Sequence, residues 1–444
     1  MRRIRKVVVL GGNGVMATGA SAVVAAAGIP AVLLARTAER AEAGKARAQQ
    51  LATTMCGSGA VRAHAPHPIH AGTYGDDAGS ALADADLVLE AVSEDLAIKH
   101  EVLSLVDRLC AASTIIGTVT SGLSIATLCA DRSQEFRRNF LGVHLFNPPT
   151  LIRGCELIAH PRTDPGVIAL VRDFLANKLG REVVETSDTP GFAGNRLGFK
   201  VLNEVAQLAE EHGVLFMDRL VGPQTGRALA PLATIDLVGW DVHKAIVDNL
   251  WALTADLAHD QFKLPDYMQR GIDRGQLGRK TRDKGGFYRL EGKGPQAKQF
   301  VLDPSTGDYL PEADALRGHE LPGFVDVMTK AVRDGRRGGA IEIMCSATGK
   351  PAELLRRVVL GYISYGLGLV GTVVERPRDI DRIMGFGFNW APPGMLVDAI
   401  GPSRTADLLA KAKLPVPRAV EDAARTGRPI CDEPRLDVTR LFAA

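Results

Sequence analysis

Several features of other protein classes are scarce or missing in this sequence of 444 residues. Its six cysteines are scattered and form no C-x-x-C pair, which argues against a disulfide framework and against a cysteine zinc site. Aromatic residues make up only 5% and do not interleave with the dispersed basic residues, and the formal net charge is only +2. We therefore expect no nucleic acid as the main partner. The remaining composition, 46% apolar and 23% charged, is that of a globular protein with two or three domains.

Long apolar runs are also missing near the start of the chain. After the basic segment MRRIRK, the run VVVL is only four residues long before it meets glycine. This is far short of a signal sequence or a membrane span. We therefore expect a cytoplasmic protein without a membrane partner.

A histidine cluster raises the alternative of a metal site. The stretch HAPHPIH places His64, His67 and His70 at intervals typical of metal ligands. Pro66 and Pro68 prevent a helix from gathering these rings on one face, because proline cannot continue a helix. We therefore expect a solvated loop and no bound metal.

Two kinds of hydrophobic pattern divide the chain. Up to about Asp188, short apolar runs alternate with helix-length segments, which is typical of a parallel sheet with helices on both faces. The predicted strands are VVVL, AVLLA, LVLEAV, TIIGTV, FLGVHLF and REVVET. From Gly191 onward, helical periodicity replaces the strand pattern. We predict an α/β, Rossmann-type doubly wound sheet over residues 1–189, followed by an all-α domain.

The helical part contains an internal repeat. Two segments share a long helix, an Asp-Arg pair, a Gly/Pro-rich turn and a closing D-L-V-G or D-A-I-G. The matching positions are Asp218-Arg219 with Asp381-Arg382, and Asp236 with Asp398. We predict a duplicated helical module over 190–290 and 321–444, with a connector rich in glycine, proline and charge over 291–320.

A glycine-rich turn follows the first predicted strand and opens an alanine-rich helix. This setting is typical of a dinucleotide-binding loop, in which G-x-G-x-x-G approaches the pyrophosphate. The spacing here is Gly11, Gly12, Gly14 and Ala17, which is one residue longer than that fingerprint. The cofactor-binding residues predicted in this region are Gly11, Gly12, Asn13, Gly14, Val15, Met16, Ala35 and Arg36.

The tip of the second predicted strand lacks the acid that selects NAD. A carboxylate there accepts hydrogen bonds from the ribose 2′-hydroxyl and repels a 2′-phosphate. Ala35 removes that repulsion, and Arg36, with Thr37 and Arg40 near a helix N-terminus, offers donors for a phosphate. We predict NAD or NADP as the cofactor, with a slight preference for NADP. In the alternative interpretation, Arg36 only points to solvent.

Candidate ligand-contacting residues follow successive predicted strands at their carboxyl ends, where the ligand crevice of a doubly wound sheet lies. They are Ala91, Val92, Glu94 and Lys99 after one strand, Thr120 and Ser121 after the next, and His144 and Asn147 after a third. The sequence therefore predicts that these residues border the cofactor. One alternative is that Glu94 and Asp95 only complement the dipole of the helix that they open.

His144 is the predicted acid and base. Asn-Pro-Pro follows it, so the chain leaves the strand at once and the imidazole lies at the rim of the sheet. A carboxylate on the far ring nitrogen would fix the tautomer and stabilise an imidazolium. Glu156, an acid within the otherwise apolar stretch GCELIAH, is the nearest candidate. Two alternatives stay open, namely a structural histidine and a Glu156 on the solvated face of its strand.

Five motifs in a fixed order resemble one enzyme family. They are VHLFNPP, CELI, DTPGFAGNR, GQLGRKTRDKGGFY and DIDRIMGFGFNW. Together they resemble the L-3-hydroxyacyl-CoA dehydrogenase family in its long form with a duplicated helical module, as in the dehydrogenase part of multifunctional fatty-acid oxidation proteins. The resemblance runs from about residue 5 to about residue 415 and does not include a hydratase domain.

The resemblance implies a role for each matching residue. His144 matches the catalytic histidine and Glu156 its acidic partner. Ser121 matches the serine that contacts the substrate oxygen, and Asn195 matches the asparagine of the GFxxNR motif. The residues that match positions near the nicotinamide and its ribose are Asn147, Glu94 and Lys99.

Four features depart from the family pattern. The glycine loop has an extra residue and ends in Ala17, Ala35 replaces the strand-tip aspartate, and Val119 stands where an asparagine usually precedes Thr-Ser. The helical hairpin that many members insert after the second strand is shortened to about residues 38–75. These departures concern the cofactor and the carrier of the thioester.

The resemblance implies an oxidoreductase that interconverts an L-3-hydroxyacyl thioester and the 3-oxoacyl thioester by hydride transfer with a nicotinamide cofactor. The carrier is coenzyme A or an acyl carrier protein. Two alternatives stay open: a dehydrogenase of a free β-hydroxy acid, which would rely on a lysine base, and a non-catalytic relative that binds a nucleotide or acyl-CoA.

The duplicated module also carries an expectation about assembly. In short members of the family, two subunits pair through their single helical domains. A second copy in the same chain could take the place of the partner, so we predict a pseudo-dimeric pair of modules. The protein is then expected to be a monomer or a weak homo-oligomer.

Overall fold

The computed structural model describes residues 3–58, 65–292, 297–318 and 320–431, which form two compact units. The first unit extends to Phe192 and also contains Phe386–Phe388. The second unit begins at Ala193 and contains the remaining described residues. His64 of the HAPHPIH stretch lies outside the described residues.

An eight-stranded sheet forms the centre of the first unit. Its strands are β1 (Val7–Leu10), β2 (Ala31–Ala35), β3 (Ile69–Thr73), β4 (Leu87–Glu90), β5 (Ile115–Thr118), β6 (Phe140–Leu145), β7 (Gly154–Ile158) and β8 (Glu182–Thr186). The order is β3-β2-β1-β4-β5-β6-β7-β8, and every neighbouring pair is parallel except β6 and β7. The predicted fold class, a Rossmann-type sheet followed by a helical part, is confirmed.

Helices cover both faces of this sheet. They are α1 (Val15–Ala26), α2 (Ala38–Gly57), α3 (Ala78–Ala83), α4 (Leu96–Leu109), α5 (Ile125–Cys129), α6 (Gln134–Asn139) and α7 (Pro165–Asp173). Side-chain caps begin several of them: Thr37 accepts from the N–H of Arg40 at α2, and Asp95 accepts from the N–H of Ile98 at α4. Two buried apolar clusters, one on each face, hold the helices against the sheet.

Strand β3 corrects the prediction of a helical insertion over residues 38–75. Helix α2 occupies the first part of that segment, but Ile69–Thr73 pairs in parallel with β2 at the edge of the sheet. The segment IHAGT has a weak strand pattern, since only Ile69 and Gly72 are buried. Pairing with β2 therefore decides its conformation, because local propensity alone does not.

Helices make up most of the second unit. Its elements are α8 (Gly194–His212), α9 (Val214–Leu220), α10 (Pro231–Val238), α11 (Trp240–Leu253), α12 (Asp266–Asp273), β9 (Tyr288–Glu291), β10 (Lys298–Leu302), β11 (Tyr309–Pro311), α13 (Gly323–Arg333), α14 (Arg337–Ser346), α15 (Lys350–Gly368), α16 (Pro377–Ile383), α17 (Pro393–Ile400), α18 (Pro402–Lys411) and α19 (Arg418–Thr426). Strands β9, β10 and β11 form a small antiparallel sheet. Strands β10 and β11 lie in the segment 291–320, so the predicted connector contains regular structure.

Aspartates hold the start of two helices in the same way. Asp218 accepts hydrogen bonds from the N–H groups of Leu232 (2.7 Å) and Ala233 (3.0 Å) in the first turn of α10. Asp381 accepts from the N–H of Gly394 (2.8 Å) in the first turn of α17. These aspartates belong to the two Asp-Arg pairs of the repeat, so the same capping arrangement occurs in both copies.

The turns before α10 and α17 also pair with each other. The N–H of Ala228 donates to the carbonyl oxygen of Asn389 at 3.2 Å, and the N–H of Ala391 donates to that of Gly226 at 2.6 Å. The two turns occupy equivalent places in the repeat. The pseudo-dimeric arrangement of the two modules stays a prediction.

Candidate active site

The glycine-rich turn joins β1 to α1. Gly11 and Gly12 have φ angles of 138° and 58°, which L side chains rarely adopt. Both N–H groups donate to the carbonyl oxygen of Leu34, at 3.2 and 3.0 Å, and the N–H of Gly14 donates to that of Gly11 at 3.2 Å. The extra residue is therefore accommodated in a hydrogen-bonded turn, and α1 begins regularly at Val15.

The same turn approaches the tips of two strands. A Cβ atom at Gly11 would lie 2.4 Å from the carbonyl oxygen of Ala91, and one at Gly12 would lie 2.9 Å from the Cβ of Ala35. Gly14 caps α1 without a side chain, and the first turn of α1 has no acidic residue. Such a helix N-terminus favours a phosphate, so these residues fit the pyrophosphate of a dinucleotide. The other predicted loop residues are exposed or half-buried, namely Asn13, Val15 and Met16.

The tip of β2 carries no carboxylate. Ala35 is buried beneath Gly12, Arg36 is exposed, and Thr37 caps α2. The position that would select NAD through a carboxylate is therefore apolar. Arg36 is the charged side chain next to it.

Tyr74 is a residue at this end of the sheet that the sequence analysis did not identify. Its N–H donates to the carbonyl oxygen of Ala35 at 2.9 Å, and its hydroxyl is hydrogen-bonded to the backbone of Gly11. Burial raises the pKa of Tyr74 to about 12, although the Gly11 hydrogen bond acts in the opposite direction. Tyr74 was not identified from the sequence because it directly follows β3, a strand that the hydrophobic pattern did not predict.

A buried ion pair lies at the tip of β4. Lys99 Nζ donates to Glu90 Oε1 (2.9 Å) and Oε2 (3.1 Å), and both side chains are almost completely shielded from solvent. Thr118 Oγ1 donates to Glu90 Oε2 at 2.6 Å, and the N–H of Val92 donates to Oε1 at 2.8 Å. Glu90 ends the predicted strand and Lys99 lies in the helix that follows, but the sequence did not predict that they form an ion pair.

Glu94 connects the tips of β4 and β5. Its Oε2 lies 3.2 Å from Lys99 Nζ. Its Oε1 accepts from the hydroxyl of Thr120 and, at 2.9 Å, from the N–H of Ser121. Glu94, Lys99 and Ser121 were predicted to border one crevice, and the structure brings them into one hydrogen-bonded network.

His144 and Glu156 are cross-strand neighbours in the antiparallel pair β6–β7. Nδ1 of His144 lies 2.6 Å from Oε2 of Glu156, and both side chains are buried. Glu156 therefore does not lie on a solvated face of β7. The rings of Phe146 and Phe192 lie 4.8 and 5.6 Å from the imidazole. A carboxylate on Nδ1 favours the tautomer with Nε2 unprotonated, which is the state of a general base.

Two predicted residues lie apart from these contacts. Asn147 is exposed at the end of β6, before Pro148. Asn195 is buried in the first turn of α8 in the second unit. Its position beside His144 stays a prediction.

No group of three or more histidine, cysteine or acidic side chains in the described ranges could hold a metal ion. Among the described residues, no helix combines the length and the apolar character needed to cross a bilayer.

Comparisons with known proteins agree with this geometry. The family model described as "3-hydroxyacyl-CoA dehydrogenase, NAD binding domain" matches residues 6–189, and that of the C-terminal domain matches residues 191–289. A probable 3-hydroxyacyl-CoA dehydrogenase of Deinococcus radiodurans is 34% identical over 297 residues, which are 65% of this chain and 83% of that protein. The chain belongs to the 3-hydroxyacyl-CoA dehydrogenase family.

Other relatives match different proportions of the chain. A probable 3-hydroxyacyl-CoA dehydrogenase of Bacillus subtilis is 28% identical over 448 residues, which cover 96% of this chain but only 55% of that protein. The crystal structure of FadB2 from M. tuberculosis has a TM-score of 0.58 and 28% identity, and covers 65% of this chain and 100% of that one. The structure of 3-hydroxybutyryl-CoA dehydrogenase from Escherichia coli, at 21% identity and a TM-score of 0.68, covers 99% of this chain and 98% of that one, and so shows the same fold.

Proposed function

We propose that this protein interconverts L-3-hydroxyacyl-CoA and 3-oxoacyl-CoA, with hydride transfer between C3 and a nicotinamide cofactor. The observation that carries the proposal is the buried hydrogen bond of 2.6 Å between His144 and Glu156, in the unit that also contains the dinucleotide turn. Membership of the 3-hydroxyacyl-CoA dehydrogenase family supports the same reaction.

The His144–Glu156 pair is proposed to move the proton. Glu156 accepts the Nδ1 proton of the neutral ring, so Nε2 is the nitrogen available to substrate. In oxidation, Nε2 accepts the proton of the C3 hydroxyl while the hydride leaves C3 for the nicotinamide. The imidazolium that results is stabilised by the Glu156 carboxylate. In reduction, the same nitrogen returns the proton to the C3 oxygen.

Ser121 and Asn195 are proposed to hold the C3 oxygen. Hydrogen bonds to this oxygen stabilise the charge that develops on it during hydride transfer. The contact between the N–H of Ser121 and Glu94 supports a fixed position for Ser121.

The nicotinamide cofactor, when bound, accepts the hydride in oxidation and supplies it in reduction. The turn of Gly11, Gly12 and Gly14 would place its pyrophosphate at the N-terminus of α1, because these residues have no side chain that would keep the phosphates away from the backbone. The residues proposed to border its nicotinamide half are Ala91, Val92, Glu94, Lys99 and Asn147. We propose that both NAD and NADP are accepted, with a slight preference for NADP, because Ala35 and Arg36 replace the strand-tip acid.

The relatives and the pairing of two turns support proposals about the carrier, the location and the assembly of the protein. Coenzyme A is proposed as the carrier rather than an acyl carrier protein, because the matching relatives are named for CoA substrates. A relative from Shewanella frigidimarina, 34% identical over 307 residues, is named fatty acid oxidation complex subunit alpha, which supports the proposal of a cytoplasmic location. The pairing of the turns before α10 and α17 supports a monomer in which two helical modules take the place of two subunits.

The experiment mixes the purified protein with acetoacetyl-CoA and NADH or NADPH and follows nicotinamide absorbance. We expect oxidation of the reduced cofactor that depends on acetoacetyl-CoA. A failure to oxidise either cofactor with acetoacetyl-CoA and with longer 3-oxoacyl-CoA substrates would contradict the proposal.

A further inference from the structure

Three residues that are distant in sequence from the sheet belong to the first unit: Phe386, Gly387 and Phe388. They end a π-helical turn over Met384–Phe388, and Asn389 follows with a φ angle of 54°. Gly387 is buried, whereas both phenylalanines keep part of their surface exposed.

Gly387 packs against the start of β7. A Cβ atom at Gly154 would lie 2.7 Å from both the Cα and the N of Gly387, so the two backbones are in contact. A Cβ atom at Gly387 would lie 2.9 Å from Cζ of Phe146. The turn therefore has no room for a side chain between β7 and the ring of Phe146.

The aromatic contacts continue from this turn to the proposed base. Phe388 meets Phe146 edge-on with 5.8 Å between ring centroids, and Phe146 lies 4.8 Å from the ring of His144. Phe146 directly follows β6 and lies two positions after His144, so the two side chains point to the same side of the chain. Phe192 contacts His144 at 5.6 Å.

We propose that Phe388, set in place by Gly387, forms the end wall of the acyl pocket and limits the length of the acyl chain. This inference rests on the proposed function, in which C3 of the substrate reacts at His144. The carbons beyond C3 form an apolar chain that needs apolar surface next to the base. Phe146, Phe192 and Phe388 supply such a surface, and the partial exposure of Phe388 leaves part of its ring accessible to a ligand.

Phe386 is the matched control on the same turn. Its ring lies under the guanidinium of Arg153, with 5.9 Å to the centroid, so its recorded partner differs from that of Phe388. Truncation of either phenylalanine removes the same apolar area. The ring of Phe388 packs against that of Phe146, so its loss should change the space near His144 more than the loss of Phe386 does.

The experiment compares wild type with Phe388→Ala, Gly387→Ala and Phe386→Ala. One measurement is kcat/KM for acetoacetyl-CoA, 3-oxooctanoyl-CoA and 3-oxohexadecanoyl-CoA with the preferred cofactor. The other is the Kd of butyryl-CoA, octanoyl-CoA and palmitoyl-CoA by calorimetry, which requires no turnover. Thermal unfolding of each variant checks that it is folded.

We expect Phe388→Ala and Gly387→Ala to change the chain-length preference in opposite directions. Phe388→Ala should raise the ratio of long-chain to short-chain kcat/KM by roughly tenfold, since one methylene changes selectivity by about that factor. Gly387→Ala should lower the ratio, because its methyl group pushes Phe146 toward the pocket. Phe386→Ala should leave the ratio within about twofold of wild type. The Kd values should shift in the same directions.

Chain-length profiles of Phe388→Ala that match wild type, or that match Phe386→Ala, would overturn the proposal. If Gly387→Ala does not fold, the comparison of the chain-length profile of Phe388→Ala with that of Phe386→Ala still tests the proposal. If wild type turns over no substrate, the proposed function fails. The ratios of the calorimetric Kd values for short and long acyl-CoA ligands then test by themselves whether Phe388 limits chain length.

Discussion

Both units of the molecule bury carboxylates, but the second unit also holds several of them through uncharged hydrogen-bond partners. In the first unit, Glu156 meets the imidazole of His144, and Glu90 meets the ammonium group of Lys99. In the second unit, Glu204 likewise pairs with Lys200, whereas backbone N–H groups and neutral side chains hold three other buried acids, Asp218, Asp236 and Asp381. The neutral partners are the hydroxyl of Tyr288, the indole of Trp240 and the thiol of Cys431.

This difference in partners affects the protonation of Asp218, Asp236 and Asp381. Burial raises the pKa of Asp218 and Asp381 to about 7 and that of Asp236 to about 6, although their hydrogen bonds oppose the increase. These acids join segments of the fold, and their hydrogen-bond partners are backbone N–H groups and uncharged side chains. The acids of the first unit face groups that can carry a positive charge, which suits proton transfer and the positioning of polar ligands.

The largest expected effect is the loss of the base. His144→Gln should reduce kcat by about a hundredfold to ten-thousandfold, because no group remains to exchange the C3 proton. Cofactor affinity should stay nearly unchanged, since the base acts only in the chemical step. Steady-state kinetics and a cofactor titration measure both, with the exposed His70→Gln as control. Retention of more than roughly half the activity would refute the assignment.

The second effect concerns the buried ion pair. Lys99→Met leaves the carboxylate of Glu90 buried without its cation, which should lower the free energy of unfolding by about 3–5 kcal/mol. Lys45→Met is the control, because Lys45 pairs with Glu42 on the surface of α2. Its expected loss is about 0–1 kcal/mol. Equal losses of unfolding free energy for Lys99→Met and Lys45→Met in urea titrations would show that burial of the Lys99–Glu90 pair adds nothing to stability.

A third effect tests the acids of the second unit through pH. The pKa of Asp381 is about 7 in the folded protein against an ordinary 3.8, so the folded state holds a proton that the unfolded chain has lost. Its contribution to stability is fully present below the ordinary value and is lost as pH rises toward 7. Asp381→Asn cannot titrate and should flatten the dependence of unfolding free energy on pH between about 4 and 7 by on the order of 1–2 kcal/mol.

The control for this profile is Asp422→Asn. Asp422 is exposed on α19, and a hydrogen bond from Arg425 lowers its pKa. Its replacement should not flatten the profile in that window. A pH profile of Asp381→Asn parallel to that of wild type would show that the raised pKa has no effect on folding.

The smallest expected effect is at the exposed tip of β2. Arg36→Ala should weaken NADPH binding by roughly tenfold relative to NADH, because a charged hydrogen bond to the 2′-phosphate is lost. Arg47→Ala, an exposed arginine on α2, should leave the ratio unchanged. Separate titrations of NADH and NADPH measure it. A wild type that binds NADH roughly a hundredfold more tightly, with no change in Arg36→Ala, would show that another feature selects NAD.

The sheet of the first unit could be predicted because strands buried on both faces read as continuous apolar runs. All six predicted runs contain strands of the sheet. The glycine turn was recognisable for a similar local reason, since its residues are neighbours in sequence. The His144–Glu156 pair was within reach because each residue is a polar group within an otherwise apolar strand.

Other features depend on contacts between distant segments and gave no local signal. Strand β3 exists because β2 offers it an edge, and Tyr74 reaches Gly11 only after that pairing. Glu90 became recognisable only when Lys99 proved to be buried against it. The wall at Phe388 joins residues more than two hundred positions apart, so no pattern within the sequence could indicate it.

The sequence by itself determined most of the elements of the first unit, the dinucleotide turn and the residues capable of acid–base chemistry, because periodicity and local turn residues encode these. The tertiary structure decided which of those residues meet. The antiparallel register of β6 and β7 places Glu156 opposite His144, and burial of that face removes the water that would otherwise weaken their interaction. Pairing and burial depend on the packing of the whole unit, which no short segment specifies.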